Sequence, residues 1–287
     1  MSEDRVVRII PKLDVKGPHL VKGIHLEGLR ALGFPEDFSK RYYQEGADEL
    51  IFQDVVASLF ERNNLKDIIS QTAKDMFIPL TVGGGLRSID DIKNTLRAGA
   101  DKVSINTAAL KNPAFIKEAA MEFGSSTIVT TIETIKQKDG TYKCFTDNGR
   151  EYTDVNAVEW AQEIEDLGAG EIMITSVDNE GRGDGFDIEI TKMICDAVSI
   201  PVIAHGGAGD YEAIERVIKE TDVTGVALAS MLHYDFIKTY ERDFSKETEG
   251  NFEFMKKPME ERLFGKINSM SLPEIKNRLR DSGIKVR

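Results

Sequence analysis

Short runs of apolar and β-branched residues alternate with longer amphipathic stretches along most of the chain. Several of these runs are apolar at nearly every position, which is typical of parallel strands that are covered on both faces. The predicted strands are 8–15, 49–55, 78–84, 101–106, 126–133, 171–178, 200–207 and 225–230. Helical periodicity is found between them, for example in 35–46, 89–99, 156–168 and 210–220. Eight β-α units in this order favour a closed (β/α)8 TIM barrel over an open, doubly wound sheet.

Two segments interrupt the alternation of strands and helices. Residues 137–155 contain Asp-Gly and Asn-Gly turn pairs and are predicted to form a hairpin inserted after the fifth strand. Residues 241–269 form a charged insertion ahead of a final helix. Because 287 residues suit one large barrel, we expect a single domain over 1–287 that carries both insertions.

The second half of the chain repeats the first half at a constant spacing. Ile78-Pro79 recurs 122 residues later as Ile200-Pro201, and Gly84-Gly85 recurs at the same spacing as Gly206-Gly207. A repeat without gaps predicts two fused half-barrels, each with four β-α units. We therefore expect paired ligand-binding features on opposite sides of the barrel's mouth.

Each Gly-Gly pair falls after a strand and before a helix, at the end of the barrel where active sites are found. Glycines allow backbone N–H groups to approach an anion, and the helix N-terminus adds favourable partial charge. One candidate phosphate site combines 82–85 with 104–108, and the other combines 205–209 with 227–231. The glycines could instead serve tight turns, but their equivalent positions favour a substrate with a phosphate at both ends.

Acidic residues end the first and fifth predicted strands, at corresponding places in the two halves. These residues are Asp14 and Glu133. Two carboxylates that face each other across a barrel mouth suit general acid–base catalysis. The alternative is that one of them caps a loop or pairs with Lys22 or Lys102.

Charged residues also lie at or near the starts of four strands, at the opposite end of the barrel. We expect a closed ring of ion pairs there, although solvated surface charges are the usual alternative at strand ends. The four residues are Arg8, Glu49, Lys102 and Glu171.

The composition is that of an ordinary globular protein, with 41% apolar and 30% charged residues. The charged N-terminus lacks a secretory core and no apolar run approaches a membrane span, so we expect a cytoplasmic protein. A net charge of −12 argues against nucleic acid as a partner. Cys144 and Cys195 show no metal-binding spacing, so we expect no metal.

Motifs from nearly every β-α unit resemble the cyclase subunit family of imidazole glycerol phosphate synthase. They include LDVK (13–16), GADELIFQD (46–54), TVGGG (81–85), GADKVSINTAA (99–109) and TSVDNEG (175–181). The resemblance implies an enzyme without a cofactor, in a heterodimer with a glutaminase (glutamine amidotransferase) subunit at the N-terminal face. Ammonia from that subunit would convert a bis-phosphorylated ribulosyl aminoimidazole carboxamide nucleotide into imidazole glycerol phosphate and aminoimidazole carboxamide ribonucleotide.

The same resemblance assigns roles to individual residues. It places Asp14 on a catalytic aspartate, Glu133 on the second catalytic position and the four-residue ring on an ammonia gate. The expected substrate- and phosphate-binding residues are Lys22, Gly84, Gly85, Asn106, Thr107, Asp178, Gly181, His205, Gly206, Gly207, Ala229 and Ser230.

Four residues depart from the family pattern near the active face. Glu133 replaces an aspartate, Lys12 a cysteine, His205 a serine and Glu180 an aspartate. These changes leave open a paralogue that supplies ammonia to a third enzyme for amidating a surface-polysaccharide sugar. A non-catalytic barrel that binds and activates the glutaminase is a further alternative. Retention of both phosphate loops and of Asp14 favours the cyclase.

Overall fold

A computed structural model describes residues 5–57, 66–244, 247, 250–262 and 264–287. The strands in these ranges are β1 (Arg8–Lys16), β2 (His19–Ile24), β3 (Glu27–Gly33), β4 (Leu50–Asp54), β5 (Leu80–Gly83), β6 (Lys102–Ile105), β7 (Ile128–Lys136), β8 (Tyr142–Thr146), β9 (Glu151–Asn156), β10 (Glu171–Ser176), β11 (Val202–His205) and β12 (Gly225–Leu228). The α-helices are α1 (Pro35–Gln44), α2 (Lys66–Asp75), α3 (Ile89–Ala98), α4 (Thr107–Lys111), α5 (Ala114–Phe123), α6 (Ala157–Asp166), α7 (Ile188–Ala197), α8 (Tyr211–Glu220), α9 (Ser230–Phe236), α10 (Glu253–Lys256) and α11 (Leu272–Asp281).

Eight of these strands form a closed parallel barrel, which confirms the predicted fold class. Their order is β1, β4, β5, β6, β7, β10, β11 and β12, and β12 pairs in parallel with β1. The main core lies between the strands and the surrounding helices. Hydrophobic burial in this shell is the principal force that stabilises such a barrel. None of the described helices is long and apolar enough to cross a membrane.

Inward-facing side chains form successive levels along the barrel axis, because residues alternate between the two faces of each strand. On β1 the same face carries Arg8, Ile10, Lys12 and Asp14 in ascending order. The level of Ile10 is a separate buried apolar cluster. Its members are Ile10, Ile51, Val129, Met173, Ile203 and Ala227. Charged residues therefore lie both below and above an apolar level.

The two glycine loops share a backbone conformation, as expected for related half-barrels. Gly84 has φ 102° and the corresponding Gly206 has φ 91°, a region that favours glycine. A Cβ on Gly84 would lie 2.3 Å from the carbonyl oxygen of Asp54, and one on Gly207 would lie 2.1 Å from that of Gly185. Close packing against neighbouring backbone therefore requires glycine at position 84 in the first loop and at position 207 in the second, in addition to any role in binding.

The β2–β3 hairpin was not among the predicted strands. Its sequence has a Gly at position 23, a bulged register and two turn residues, His25 and Leu26, with positive φ. These features obscure the period-two pattern on which strand prediction depends. Within 137–155, β8 pairs antiparallel with β7 and with β9.

The described part of 241–269 packs against the β2–β3 hairpin. Phe252 makes an edge-to-face contact with His19 at 4.7 Å, and the backbone N–H of Ala31 donates to the carbonyl of Asn251 at 2.8 Å. The guanidinium of Arg242 lies 3.6 Å from the centre of the Phe34 ring. Residues 245–246, 248–249 and 263 of the predicted insertion lie outside the described residues. The segment thus supports the hairpin from its outer side.

Candidate active site

A cavity of about 260 Å³ opens at the C-terminal ends of β4, β5, β6 and β7. Asn106 donates through Nδ2 to the carbonyl of Phe145 at 3.2 Å, and Thr107 accepts from the backbone N–H of Asp147 at 3.0 Å. These two bonds fasten the end of β8 and the turn that follows it to the cavity wall. The expected site residues that line this cavity are Gly84, Gly85, Asn106, Thr107 and Glu133.

A second, much smaller cavity of about 20 Å³ lies at the second glycine loop. This volume is enough for about one water molecule. The expected residues that line it are Lys22, Glu180, Gly181, His205, Gly206, Gly207, Ala229 and Ser230. Asp178 lies elsewhere, where its carboxylate accepts from the backbone N–H of Lys136 at 3.3 Å.

Four buried charges of alternating sign form a chain that includes two residues of the second cavity, Lys22 and Glu180. Lys12 donates to Asp14, and Lys22 donates to Glu180 while its Nζ lies 3.7 Å from the second oxygen of Asp14. All four residues are at most 3% exposed. Pairing of this kind is what allows buried charges to remain ionised. Lys12 and Asp14 share the inner face of β1, and this places their side chains within reach of each other.

The two candidate catalytic carboxyls have opposite environments. Burial alone would raise the pKa of Asp14, but the ammonium groups of Lys12 and Lys22 outweigh it and lower that pKa to about 2. Burial raises the pKa of Glu133 to about 7, despite the backbone N–H of Gly149 that donates to its Oε2 at 2.8 Å. Asp14 is therefore a permanent anion near neutral pH, whereas Glu133 titrates there.

His205 is a buried neutral imidazole beside this pair. Its Nδ1 lies 3.0 Å from the hydroxyl oxygen of Thr175. Burial, reinforced by the nearby ammonium of Lys12, lowers the pKa of His205 well below its ordinary value. The ring therefore adds hydrogen-bonding capacity to the second loop without adding charge.

At the opposite end of the barrel, four charged side chains form a closed ring. Arg8 lies 2.8 Å from Glu49 and 2.5 Å from Glu171, and Lys102 lies 3.4 Å from Glu49 and 3.0 Å from Glu171. Each cation contacts both anions, so the ring closes the barrel axis below the apolar level. These are the residues for which the sequence predicted a ring.

Asp54 and Asp147 also line the first cavity, although neither was among the candidate residues. Asp54 is the last residue of β4. The search for acidic residues at strand ends, which identified Asp14, could therefore have identified Asp54 as well. Its carboxylate accepts from the backbone N–H of Val56 at 3.0 Å, and burial raises its pKa. Asp147 lies in a turn with positive φ, and no strand pattern marks it. Among the described residues, no group of three or more His, Cys, Asp or Glu side chains is arranged to hold a metal ion.

A (β/α)8 barrel with polar cavities and carboxyls at the C-terminal ends of its strands defines an enzyme of the barrel class. The chain belongs to the family described as histidine biosynthesis protein, which it matches over residues 8–238. Three relatives carry the name imidazole glycerol phosphate synthase subunit HisF. The relative from Legionella pneumophila is 54% identical over 72% of this chain and 97% of its own length. Those from Exiguobacterium sp. and Methanopyrus kandleri are 47% and 44% identical, over 79% of this chain in each case and 88% and 90% of their own lengths.

Proposed function

We propose that this chain is the cyclase subunit of imidazole glycerol phosphate synthase. Its substrates are ammonia and the bis-phosphorylated ribulosyl aminoimidazole carboxamide nucleotide, and its products are imidazole glycerol phosphate and aminoimidazole carboxamide ribonucleotide. The observation that carries the proposal is the pair of equivalent glycine loops at one barrel mouth, with Asp14 and Glu133 between them. The names of the three relatives support the same activity.

The two phosphates bind at the two glycine loops. Gly84, Gly85, Asn106 and Thr107 bind one phosphate in the larger cavity, where backbone N–H groups and a helix start meet the anion. The second phosphate binds at the loop of Gly206, Gly207, Ala229 and Ser230. Because this cavity has room for about one water molecule, we infer that Lys22 leaves Glu180 when the phosphate enters.

Glu133 and Asp14 have different catalytic roles. A carboxyl that titrates near neutral pH suits proton transfer, and Glu133 has this property. Asp14 contributes a fixed negative charge that orients the two lysines around it. Lys22 then provides the cation nearest to both the second phosphate loop and the carboxylate of Asp14.

Ammonia enters from a glutaminase subunit at the N-terminal face of the barrel. The ring of Arg8, Glu49, Lys102 and Glu171 lies at that end, and the apolar level above it offers a path for a neutral molecule. Phe77, which is 83% exposed just before β5, lies on this face and is a candidate contact for the partner.

The decisive experiment supplies the purified chain with the nucleotide and an ammonium salt at alkaline pH, and follows both products by chromatography. We expect turnover, and we expect Asp14→Asn to abolish it while the exposed-site variant Lys192→Met retains it. If the chain is folded but shows no turnover, the proposed cyclase activity is refuted. If that chain still activated a glutaminase, sugar amidation or simple activation would become the better account.

The docking face has a separate test. Phe77→Asp should weaken glutaminase binding at least about tenfold in a titration, as expected when an aromatic contact is lost from an interface. Tyr152→Asp, an equally polar change at the 55%-exposed Tyr152 on β9, should leave binding unchanged. Equal loss in both variants would contradict the assignment of the N-terminal face.

A further inference from the structure

Two turns with strained backbones meet at the barrel mouth. Among the described residues, the non-glycine residues with positive φ are His25 and Leu26 in the β2–β3 turn and Asp147 and Asn148 in the β8–β9 turn. Asparagine and aspartate tolerate this conformation, but it is costly for leucine. Strained residues of this kind persist only where the surrounding contacts fix them, and they cluster at functional sites.

Asn148 joins these two turns. Its Nδ2 donates to the carbonyl of Leu26 at 3.0 Å, and Leu26 is 5% exposed. A second link lies beside it, where Arg150 is 3.4 Å from Glu27. Because the side chain of Glu27 is 64% exposed, that ion pair is expected to contribute little. Of the two links, the part-buried bond of Asn148 is therefore the one that holds the turns together.

The β8–β9 turn also contacts the candidate catalytic carboxyl Glu133. The backbone N–H of Gly149 donates to Glu133 Oε2 at 2.8 Å. This N–H belongs to the planar peptide group that follows Asn148, so the conformation of Asn148 sets the direction in which the N–H points. The bond between Asn148 and the hairpin therefore acts on the group that reaches the Glu133 carboxylate.

On its other side, the β2–β3 turn is tied to the second glycine loop. The backbone N–H of Leu26 donates to Glu180 at 3.1 Å, and Glu180 accepts from Lys22. The N–H of Leu26 thus binds Glu180 while its carbonyl accepts from Asn148. A continuous series of contacts runs across the mouth from Lys22 and Glu180 to Glu133.

We propose that Asn148 is a positioning residue for Glu133, which it holds in place by anchoring the β8–β9 turn to the β2–β3 hairpin. The hairpin that carries Lys22 and the carboxyl that lines the first cavity are thereby fixed relative to each other. The use of this arrangement in turnover rests on the proposed cyclase function, whereas the hydrogen-bonded connection is a property of the folded chain by itself.

Asn148→Gly is the variant that isolates this connection. It removes the bond to Leu26 and leaves the turn conformation accessible, because glycine adopts positive φ without strain. It also changes no charge near Glu133. The charged residues that it retains are Asp54, Arg87, Lys111 and Asp147, which line the same cavity, and Lys12 and Asp14 of β1. The 3.6 Å ion pair between Lys111 and Asp147 needs no side-chain atom of Asn148. A change in the ionisation of Glu133 would therefore report the loss of the Gly149 N–H.

The measurement is a carbon-13 NMR titration of the glutamate side-chain carboxyls in the full chain, in which Glu133→Gln identifies the signal. Without the Gly149 N–H, the ionised form of Glu133 is less favoured, so its pKa rises. We expect a midpoint near 7 in the parent chain and a midpoint at least about half a pH unit higher in Asn148→Gly. An unchanged midpoint in the folded variant would overturn the proposal.

Gln137→Ala is the matched control, because Gln137 makes the same kind of bond in the other turn of the inserted sheet. Its Nε2 donates to the carbonyl of Ile135 at 2.9 Å, between β7 and β8. The control should leave the midpoint of Glu133 near that of the parent, and an equal shift in both variants would contradict the proposal. If Asn148→Gly fails to fold, Asn148→Ser shortens the side chain so that it no longer reaches Leu26 and gives the same comparison.

A second measurement separates positioning from substrate binding, since Asn148 also lines the first cavity. A positioning role predicts that kcat for ammonia-dependent turnover falls at least about tenfold in Asn148→Gly, while KM for the nucleotide stays within about twofold. A rise in KM at unchanged kcat would mean that Asn148 acts by contacting the nucleotide, and the proposal would be wrong. Absence of turnover in the parent chain would refute the cyclase and leave the NMR result for Asn148 intact.

Discussion

Lys22 on β2 donates a hydrogen bond to Glu180, which follows β10 on the other side of the barrel mouth. The second carboxylate oxygen of Glu180 accepts from the backbone N–H of Leu26 at 3.1 Å, in the turn of the hairpin. Both side chains are 2% exposed. This buried pair therefore fastens the β2–β3 hairpin over the mouth and places Lys22 beside Asp14.

We expect Lys22→Met to lower the free energy of unfolding by about 3–5 kcal/mol, because it leaves Glu180 buried and unpaired. Urea titration measures this loss. The double variant Lys22→Met/Glu180→Leu should lose less than the sum of the two single changes, since it removes both charges.

An exposed ion pair provides the control for this double-mutant cycle. Lys192 and Asp196 are spaced i,i+4 on α7 with side chains 56% and 58% exposed. Their coupling should be below about 1 kcal/mol. Additive losses at Lys22 and Glu180 would mean that the buried pair does not fasten the hairpin.

A methyl group at Gly84 should be far more damaging than one at Gly140. Both glycines have positive φ, so alanine is strained at each by about 1 kcal/mol. At Gly84 the added Cβ would also lie 2.3 Å from the carbonyl oxygen of Asp54, whereas Gly140 has open space within 4 Å. We expect urea unfolding to show a clearly larger loss for Gly84→Ala. Equal losses of stability in the two variants would show that the loop at Gly84 shifts to accommodate the methyl group without an added cost.

The stability of the chain should depend on the ionisation of Glu133. Its pKa in the fold, about 7, is raised above the ordinary 4.5, so the neutral form stabilises the fold at low pH. This contribution, on the order of 3 kcal/mol, is lost as pH rises from about 4.5 through 7. Glu133→Gln lacks the transition, so its stability relative to the parent should increase between pH 5 and pH 8. Parallel pH profiles in urea unfolding would contradict the raised pKa.

The final helix is joined to the barrel by a second buried ion pair. Lys276 on α11 donates to Asp48 and to the carbonyl of Gly46, each at 2.8 Å, and Asp48 accepts from the backbone N–H of Ile9 at 2.8 Å. Lys276→Met should therefore cost about 3–5 kcal/mol, because Asp48 would stay buried without its cation. A loss below about 1 kcal/mol, the size expected at an exposed pair, would show that α11 docks by apolar contacts alone.

The eight barrel strands could be predicted because each is short, apolar and bounded by turn residues. The predicted strand over 200–207 corresponds to β11 at Val202–His205, and that over 225–230 corresponds to β12 at Gly225–Leu228. β11 ends earlier because Gly206 and Gly207 turn away from the ladder, and β12 ends earlier because α9 begins at Ser230. The β2–β3 hairpin escaped prediction because its apolar positions do not alternate regularly.

Part of the candidate site could also be predicted from sequence patterns. Alternation along β1 placed Lys12 and Asp14 on one face, and the repeat placed the two glycine loops opposite each other. Asp54 was missed although it ends a strand. Neither pattern could show that Asp178 lies outside the second cavity, because a loop residue's direction depends on the backbone of that loop.

The sequence by itself determined the barrel, its repeat and the residue types at its two ends, because local periodicity and spacing encode these features. The tertiary structure alone decided which charges meet. Lys22 and Glu180 are 158 residues apart in the chain, and Arg8 and Glu171 are 163 apart. Closure of the barrel and folding of the hairpin bring them into contact. The two lysines around Asp14 then lower its pKa, whereas burial raises the pKa of Glu133.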